Sequence, residues 1–160
     1  MQQLTSRRDF ANIINERNYK IVVEVGVGNG GFSRYLLESC SGITLFSIDP
    51  WEGVDSRPGG KQKTYEKLAK YDTRSKILDL KSVEGSQQFE DLSIDFVYID
   101  SDHSFDAVKQ DLACWWPKIK LSGIMAGHDY DLRQSGVIKA VDNWTIEHHQ
   151  EMGQNRNKRY

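Results

Sequence analysis

Short unbroken apolar runs alternate with helix-period stripes along this chain, and that alternation constrains its fold more than any other feature. The runs are Ile21–Val25, interrupted only by Glu24, then Thr44–Ile48, a weaker run at 76–80, a strong run at 96–99 and another at 123–127. Around them Phe10, Ile13 and Ile14 fall at the spacing of one helix face, as do Phe32, Tyr35 and Leu36, and Tyr65, Leu68 and Ala69. Phe105, Val108, Leu112 and Trp115 repeat the spacing, and so do Val137, Ile138, Val141 and Trp144. Strands covered on both faces read as continuous apolar runs, whereas half-exposed strands alternate. The pattern predicts an α/β fold with a mostly parallel sheet of about five strands between helical layers. Thr5 or Ser6 is placed to cap the first helix, Pro117 stops the fourth, and the Pro/Gly-bearing stretch 51–60 reads as a loop.

With 160 residues, 38% hydrophobic and 28% charged, the chain has material for one real core. We take 1–150 as one domain and 151–160 as a polar C-terminal tail. A net charge of −2 gives no broad nucleic-acid footprint. No apolar run approaches the ~20 residues that span a bilayer, and the N-terminus lacks a signal-peptide core. Cys40 and Cys114 stand in no CxxC pair and read as small buried hydrophobes of a reducing compartment. The expectation is a cytoplasmic protein with neither a nucleic-acid nor a membrane partner.

In an open parallel sheet, ligands bind beyond the carboxyl ends of the strands. Here those ends carry Gly26, Gly28, Gly30 and Gly31 after the first strand, Asp49 after the second, Asp100 after the fourth and His128-Asp129 after the fifth. Glycines let the backbone turn tightly and approach a ligand, and the next helix offers free N–H groups. Gly26, Gly28 and Gly31 also satisfy a GxGxxG dinucleotide pattern. Asp49, about twenty residues on, is placed to accept from ribose hydroxyls. Together these features indicate an adenosine-containing cofactor.

Glu24-x-Gly26-x-Gly28-x-Gly30 resembles the first motif of class I S-adenosylmethionine-dependent methyltransferases. The stretch Asp95–Asp100, Asp102-His103, Asp111-Leu112, Trp116-Pro117 and Gly127-His128-Asp129-Tyr130 is similar to a small bacterial branch related to macrocin and catechol O-methyltransferases. The resemblance covers roughly residues 5–150. It implies a Rossmann-like three-layer α/β/α sandwich, here without the family's C-terminal antiparallel hairpin. The open sheet edge would invite a homo-oligomer. For the cofactor, S-adenosylmethionine, it implies contacts from Glu24, Gly26, Gly28, Gly30, Asp49, Pro50, Trp51, Ser82, Val83 and Asp100. Glu24 would help hold the methionine end. Ser82, Val83 or Asp79 would reach the adenine, where the branch has an acid and this chain has Lys81-Ser82. Asp100, His128 and Asp129 match the branch's divalent-cation positions. A histidine among them fits manganese, iron or zinc better than magnesium.

The catalytic candidates are Asp100, which ends a buried strand and needs a partner, and His103, whose ordinary pKa is near neutrality but which could also serve only the start of the next helix. Trp51 opens a loop that could close over the cofactor, stacking on adenine or acceptor, or merely anchoring the loop. Tyr130 could close over the substrate or pack. The Trp115-Trp116 pair reads as core or interface, and His148 and His149 as surface. The implied activity is methyl transfer to a small-molecule acceptor, at a hydroxyl oxygen, with possible metal assistance from magnesium or manganese. Two alternatives stay open: a non-catalytic cofactor- or protein-binding domain, and an NAD(P)-dependent oxidoreductase resting on the GxGxxG match.

Overall fold

A computed structural model of the chain describes residues 6–52 and 58–148. Five strands form one sheet in the order β3-β2-β1-β4-β5, every pairing parallel. They are β1 (Ile21–Val25), β2 (Thr44–Ile48), β3 (Ser75–Leu78), β4 (Ile94–Ile99) and β5 (Ile119–Gly127). Six α-helices flank them: α1 (Phe10–Glu16), α2 (Gly31–Ser39), α3 (Gly60–Leu68), α4 (Ser82–Ser86), α5 (Phe105–Trp115) and α6 (Ser135–Glu147). This is the three-layer Rossmann-like sandwich that the alternating runs predict, and β5 has no further strand beside it among the described residues.

The central strands bury both faces, so their neighbouring side chains enter different cores. Val22, Phe96 and Tyr98 pack with Phe10, Phe32 and Leu36 under α1 and α2. Val23, Val97 and Met125 pack with Val108, Trp115 and Trp144 under α5 and α6. All six residues of β4 are buried, as its position between β1 and β5 requires. Asp95 is the exception among apolar neighbours, and hydrogen bonding explains it. Its Oδ2 accepts from the backbone of Lys20 (2.9 Å) and Ile21 (2.8 Å), and its Oδ1 meets Lys120 at 2.8 Å. Burial works against its charge, but these partners outweigh that and hold its pKa below the usual carboxylate range. Asp95 thus knits the starts of β1, β4 and β5.

Several boundaries differ from expectation. Strand β5 begins four residues earlier than its apolar run, because a register shift opposite Ile94–Phe96 lets Gly123 fit where a Cβ would meet Ile119 at 2.6 Å. Helix α3 buries Gly60, Thr64 and Leu68 rather than Tyr65, Leu68 and Ala69. Its inward face is chosen by contact with the glycine loop, which leaves Tyr65 43% exposed. The five-residue α4 carries too little apolar pattern to be read in advance. Ser6 does cap the N-terminus, in a reciprocal box with Asp9; Thr5, His149 and the 151–160 tail lie outside the described residues. Trp115 is fully buried, and Cys40 and Cys114 are free thiols, one buried and one half-buried. His148 stacks on Trp144 at 3.8 Å. No described helix is long and apolar enough to cross a membrane.

Candidate functional site

Parallel pairing in register brings the ends of β1, β2 and β4 to one rim. Val25 lies opposite Ile48 on one side and Ile99 on the other, so Gly26, Asp49 and Asp100 emerge side by side. Gly26 turns there with φ of +85°, and a Cβ on it would stand 2.0 Å from the Asp100 carbonyl oxygen. Only glycine fits so close a crossing. Gly28 and Gly30 also adopt left-handed backbone, carrying the chain into α2.

Asp49 organises this loop. Its Oδ2 accepts from the amides of Val27 and Gly28, both at 2.8 Å, and its Oδ1 from Trp51 N at 2.6 Å. The Trp51 indole N–H donates back to Gly28 O at 2.7 Å, so Trp51 is an anchor between the β2 loop and the glycine loop. Helix α3 closes the arrangement from above. Gly60 lies against Gly28 O so tightly that a Cβ would approach to 2.6 Å, and Lys67 donates to Asn29 O at 2.7 Å. Beyond Asp49, Pro50, Trp51, Pro58, Gly59, Lys61 and Asp79 line a cavity of about 400 Å³, bridged by a Lys61–Asp79 ion pair. Residues 53–57 of the intervening loop lie outside the described residues.

The other sequence-derived cofactor positions divide. Glu24 does not reach the rim: it is 2% exposed, one residue below it, and accepts from the Ser33 hydroxyl, which also meets Ser47 at 3.0 Å. Burial pushes its pKa up to about 8, against the lowering effects of Ser33 and Arg7. The Ser82 hydroxyl accepts from the Trp115 indole at 2.9 Å, toward α5. Val83 follows it in the first turn of α4.

On the β4–β5 side, the His103 ring brings α5's leading loop over the strand ends. His103 Nε2 lies 2.8 Å from Asp129 Oδ2 and 3.6 Å from Asp100 Oδ1. It makes no hydrogen bond of good geometry to either. One potential ligand atom from each of Asp100, His103 and Asp129 lies within 4.8 Å of the others. His128 stands beside them, its Nδ1 3.0 Å from Asp129 Oδ2 and 3.9 Å from Asp100 Oδ1. The tightest grouping therefore includes His103 rather than His128, because the α5 loop folds back over β5. Asp129 holds its place in left-handed backbone, φ +60°. Tyr130 is 58% exposed and donates to Asp142 of α6 at 2.7 Å. Behind the cluster a largely apolar cavity of about 320 Å³ opens between the sheet, α5 and α6, with Ile99, Val108, Met125, Val137 and Val141 as walls and Asp100, His103 and Tyr130 at its rim.

Sequence reasoning gives no site role to three residues here, although Asp111 stands in the quoted motif. Arg7 donates from a terminal nitrogen to Asp100 Oδ2 at 3.2 Å. Asp111, 4% exposed, accepts from Ser101 at 2.5 Å, and burial raises its pKa. Ser33 faces Glu24. The signal for Ser33 and Asp111 is faint but present, a polar residue on the inward face of an amphipathic helix. Arg7 offers none, since its partner is 93 positions away.

A family model described as a methyltransferase domain matches residues 23–130. The chain is 25% identical over 126 residues to an uncharacterized protein of Sinorhizobium fredii; the match covers 72% of this chain and 14% of that protein, so the chain spans a small part of its relative's length. Solved structures share the fold, among them the following two. A Staphylococcus aureus protein assigned as a caffeoyl-CoA O-methyltransferase superposes with a TM-score of 0.67 at 18% identity, covering 91% of this chain and 76% of that one. An rRNA methylase from Streptococcus thermophilus superposes with a TM-score of 0.64 at 15% identity, covering 90% and 81%.

Proposed function

Given that the chain belongs to the methyltransferase domain family and has its class I fold, we propose that it transfers a methyl group from S-adenosylmethionine to a hydroxyl oxygen of a small molecule. The observation that carries this reading is the division of the rim: a glycine loop and Asp49 beside one cavity, and an acid–histidine cluster at the mouth of a second, apolar cavity. The first suits a nucleoside. Asp49 Oδ1 keeps one lone-pair site beyond those used by the three backbone amides, Gly26 and Gly28 bring backbone close, and the cavity past Asp49 has room for an adenine. The second suits an acceptor, because about 320 Å³ of apolar space holds a small ring and not a folded RNA.

S-adenosylmethionine supplies an electrophilic methyl on a sulfonium, so alignment accounts for much of the rate. The chain must add removal of the acceptor proton. His103 sits where its ring can take that proton, with Asp129 and Asp100 beside it to stabilise the imidazolium. Asp100, His103 and Asp129, joined by His128, also form a mixed nitrogen–oxygen set. It would hold manganese more readily than magnesium and lower the acceptor's pKa. Loss of turnover in EDTA, restored by Mn²⁺, supports the metal-assisted form; turnover indifferent to EDTA leaves His103 as the base.

The test is calorimetry with S-adenosylhomocysteine and with NAD, followed by turnover on phenolic and sugar hydroxyls. S-adenosylhomocysteine should bind and NAD should not. Asp49→Ala should weaken the first about 100-fold, roughly 2.7 kcal/mol. Asp100→Ala should keep affinity within a few-fold and slow transfer by about 10²–10⁴. Normal affinity in Asp49→Ala would remove the ribose from Asp49. Binding of NAD in place of S-adenosylhomocysteine would favour a hydride-transfer enzyme, and binding without turnover on any acceptor a non-catalytic domain.

A further inference from the structure

We infer that Arg7 is the recognition residue for the carboxylate of the cofactor's amino-acid end. The inference rests on the proposed cofactor and extends it to a residue outside every motif. It begins with a count of donors. A carboxylate above β1 and β4 needs N–H groups, and a glycine loop ordinarily offers its own. Here four of those amides are committed within the protein. Gly26 N donates to Ile48 O, Val27 N and Gly28 N to Asp49, and Gly30 N to Val27 O. A side chain near the rim can supply the donors that these four amides do not.

Arg7 is in position to do so. It lies in a single helical turn, Arg7–Asp9, immediately before α1, and its guanidinium sits 5.0 Å above the ring of Phe32 in the first turn of α2. That cation–π contact, with the Asp100 ion pair, holds the guanidinium near the rim. One terminal nitrogen meets Asp100, and its charge acts on both Glu24 and the buried Tyr98 hydroxyl. An arginine has five N–H donors, so the Asp100 contact leaves others for a bidentate carboxylate. The side chain is 41% exposed, accessible yet anchored.

Direction along the sheet fixes which end of the ligand Arg7 meets. With Asp49 on β2 holding the ribose, and the cavity by Asp79 beyond it on the β3 side, the remainder of the molecule must run across β1 toward β4. Arg7 stands over the β4 end. The same rim carries Asp49, Asp100 and Asp129, whose negative charges repel a carboxylate. Arg7 offsets that repulsion.

The experiment compares S-adenosylmethionine with decarboxylated S-adenosylmethionine, which keeps the nucleoside, sulfonium and amine. Calorimetry on the wild-type chain should favour the carboxylate-bearing form by at least 10-fold. In Arg7→Gln that preference should vanish, with affinity for the decarboxylated form unchanged within about 2-fold. Arg7→Lys, which keeps charge but not the planar fork, should retain part of the preference. Circular dichroism and thermal midpoints check that each variant folds. An undiminished preference in folded Arg7→Gln overturns the inference, as does an equal loss for both ligands. Failure of the wild type to bind either ligand would instead overturn the cofactor assignment.

Discussion

The two halves of the rim are built on different principles. On the β1–β2 side the positions are set by backbone: loop amides, carbonyls and glycines with left-handed φ are tied to one another through Asp49, Trp51 and α3. On the β4–β5 side they are set by side chains: Asp100, His103, His128 and Asp129 face one another across contacts of 2.8–3.9 Å, in front of an apolar cavity. A backbone-built site accepts one ligand shape and tolerates little change. A side-chain-built site can be retuned by substitution without disturbing the fold. A common cofactor beside a variable acceptor calls for that division, and it explains why fold likeness alone, to an O-methyltransferase-like protein and to an rRNA methylase alike, leaves the acceptor unspecified.

The halves touch most closely at Gly26, and the largest effect is expected there. A methyl at this position would have to enter the Asp100 carbonyl, 2.0 Å away, with a backbone angle that L-residues avoid. Gly26→Ala should cost about 3 kcal/mol or more in urea unfolding and displace Asp49 and Asp100 together. Gly59→Ala supplies the contrast: its φ is +68° but, among the described residues, nothing lies within 4 Å of the added Cβ. It should cost only about 1 kcal/mol of backbone strain. Equal costs would show that the crossing of β1 and β4 is looser than its geometry indicates.

Glu24 sharpens the comparison by pH. Its ordinary pKa is 4.5 and its folded value about 8, chiefly through burial. Between these the folded chain keeps a proton that the unfolded chain has released. The stability that Glu24 contributes is therefore full below about pH 4.5, falls as pH rises, by at most about 1.4 kcal/mol per unit, and is lost above about pH 8. Glu24→Gln preserves size and the acceptor for Ser33 and should flatten that stretch of the curve, as measured by urea midpoints from pH 5 to 9. An unchanged slope in the variant would move the titrating group elsewhere.

How much of this was legible in the sequence depends on how far each signal reaches along the chain. The five strands, the glycine loop and the acids ending β2 and β4 could be read because each is a local pattern of residue type and spacing. The family resemblance added the link between them. Glu24 was read as a rim contact, whereas the pleat sets it below the rim against Ser33, a distinction that depends on strand register. The inward face of α3 was misassigned because Thr64, not Tyr65, meets the glycine loop 36 positions away. Arg7 was not visible at all, and the roles of Asp111 and Ser33 only faintly, since a polar residue acquires its role only when folding supplies its partner. On the β4–β5 side the residue types were legible, and their grouping, with His103 closer than His128, was not.

The smallest effect is expected where the backbone-built half has redundancy. Trp51→Phe removes the indole N–H that donates to Gly28 O at 2.7 Å, a loss of about 1 kcal/mol for one hydrogen bond. The carbonyl is not orphaned, since the Thr64 hydroxyl also reaches it at 3.4 Å. The main-chain amide of residue 51 still donates to Asp49 Oδ1, so the loop keeps its principal tie. Cofactor affinity should therefore fall only a few-fold in calorimetry. At saturating cofactor, the single-turnover rate of methyl transfer should not change, because none of the removed atoms lies on the β4–β5 side. A matching drop in that rate would break the comparison itself, showing that the nucleoside half transmits strain across Gly26 to the groups that handle the acceptor.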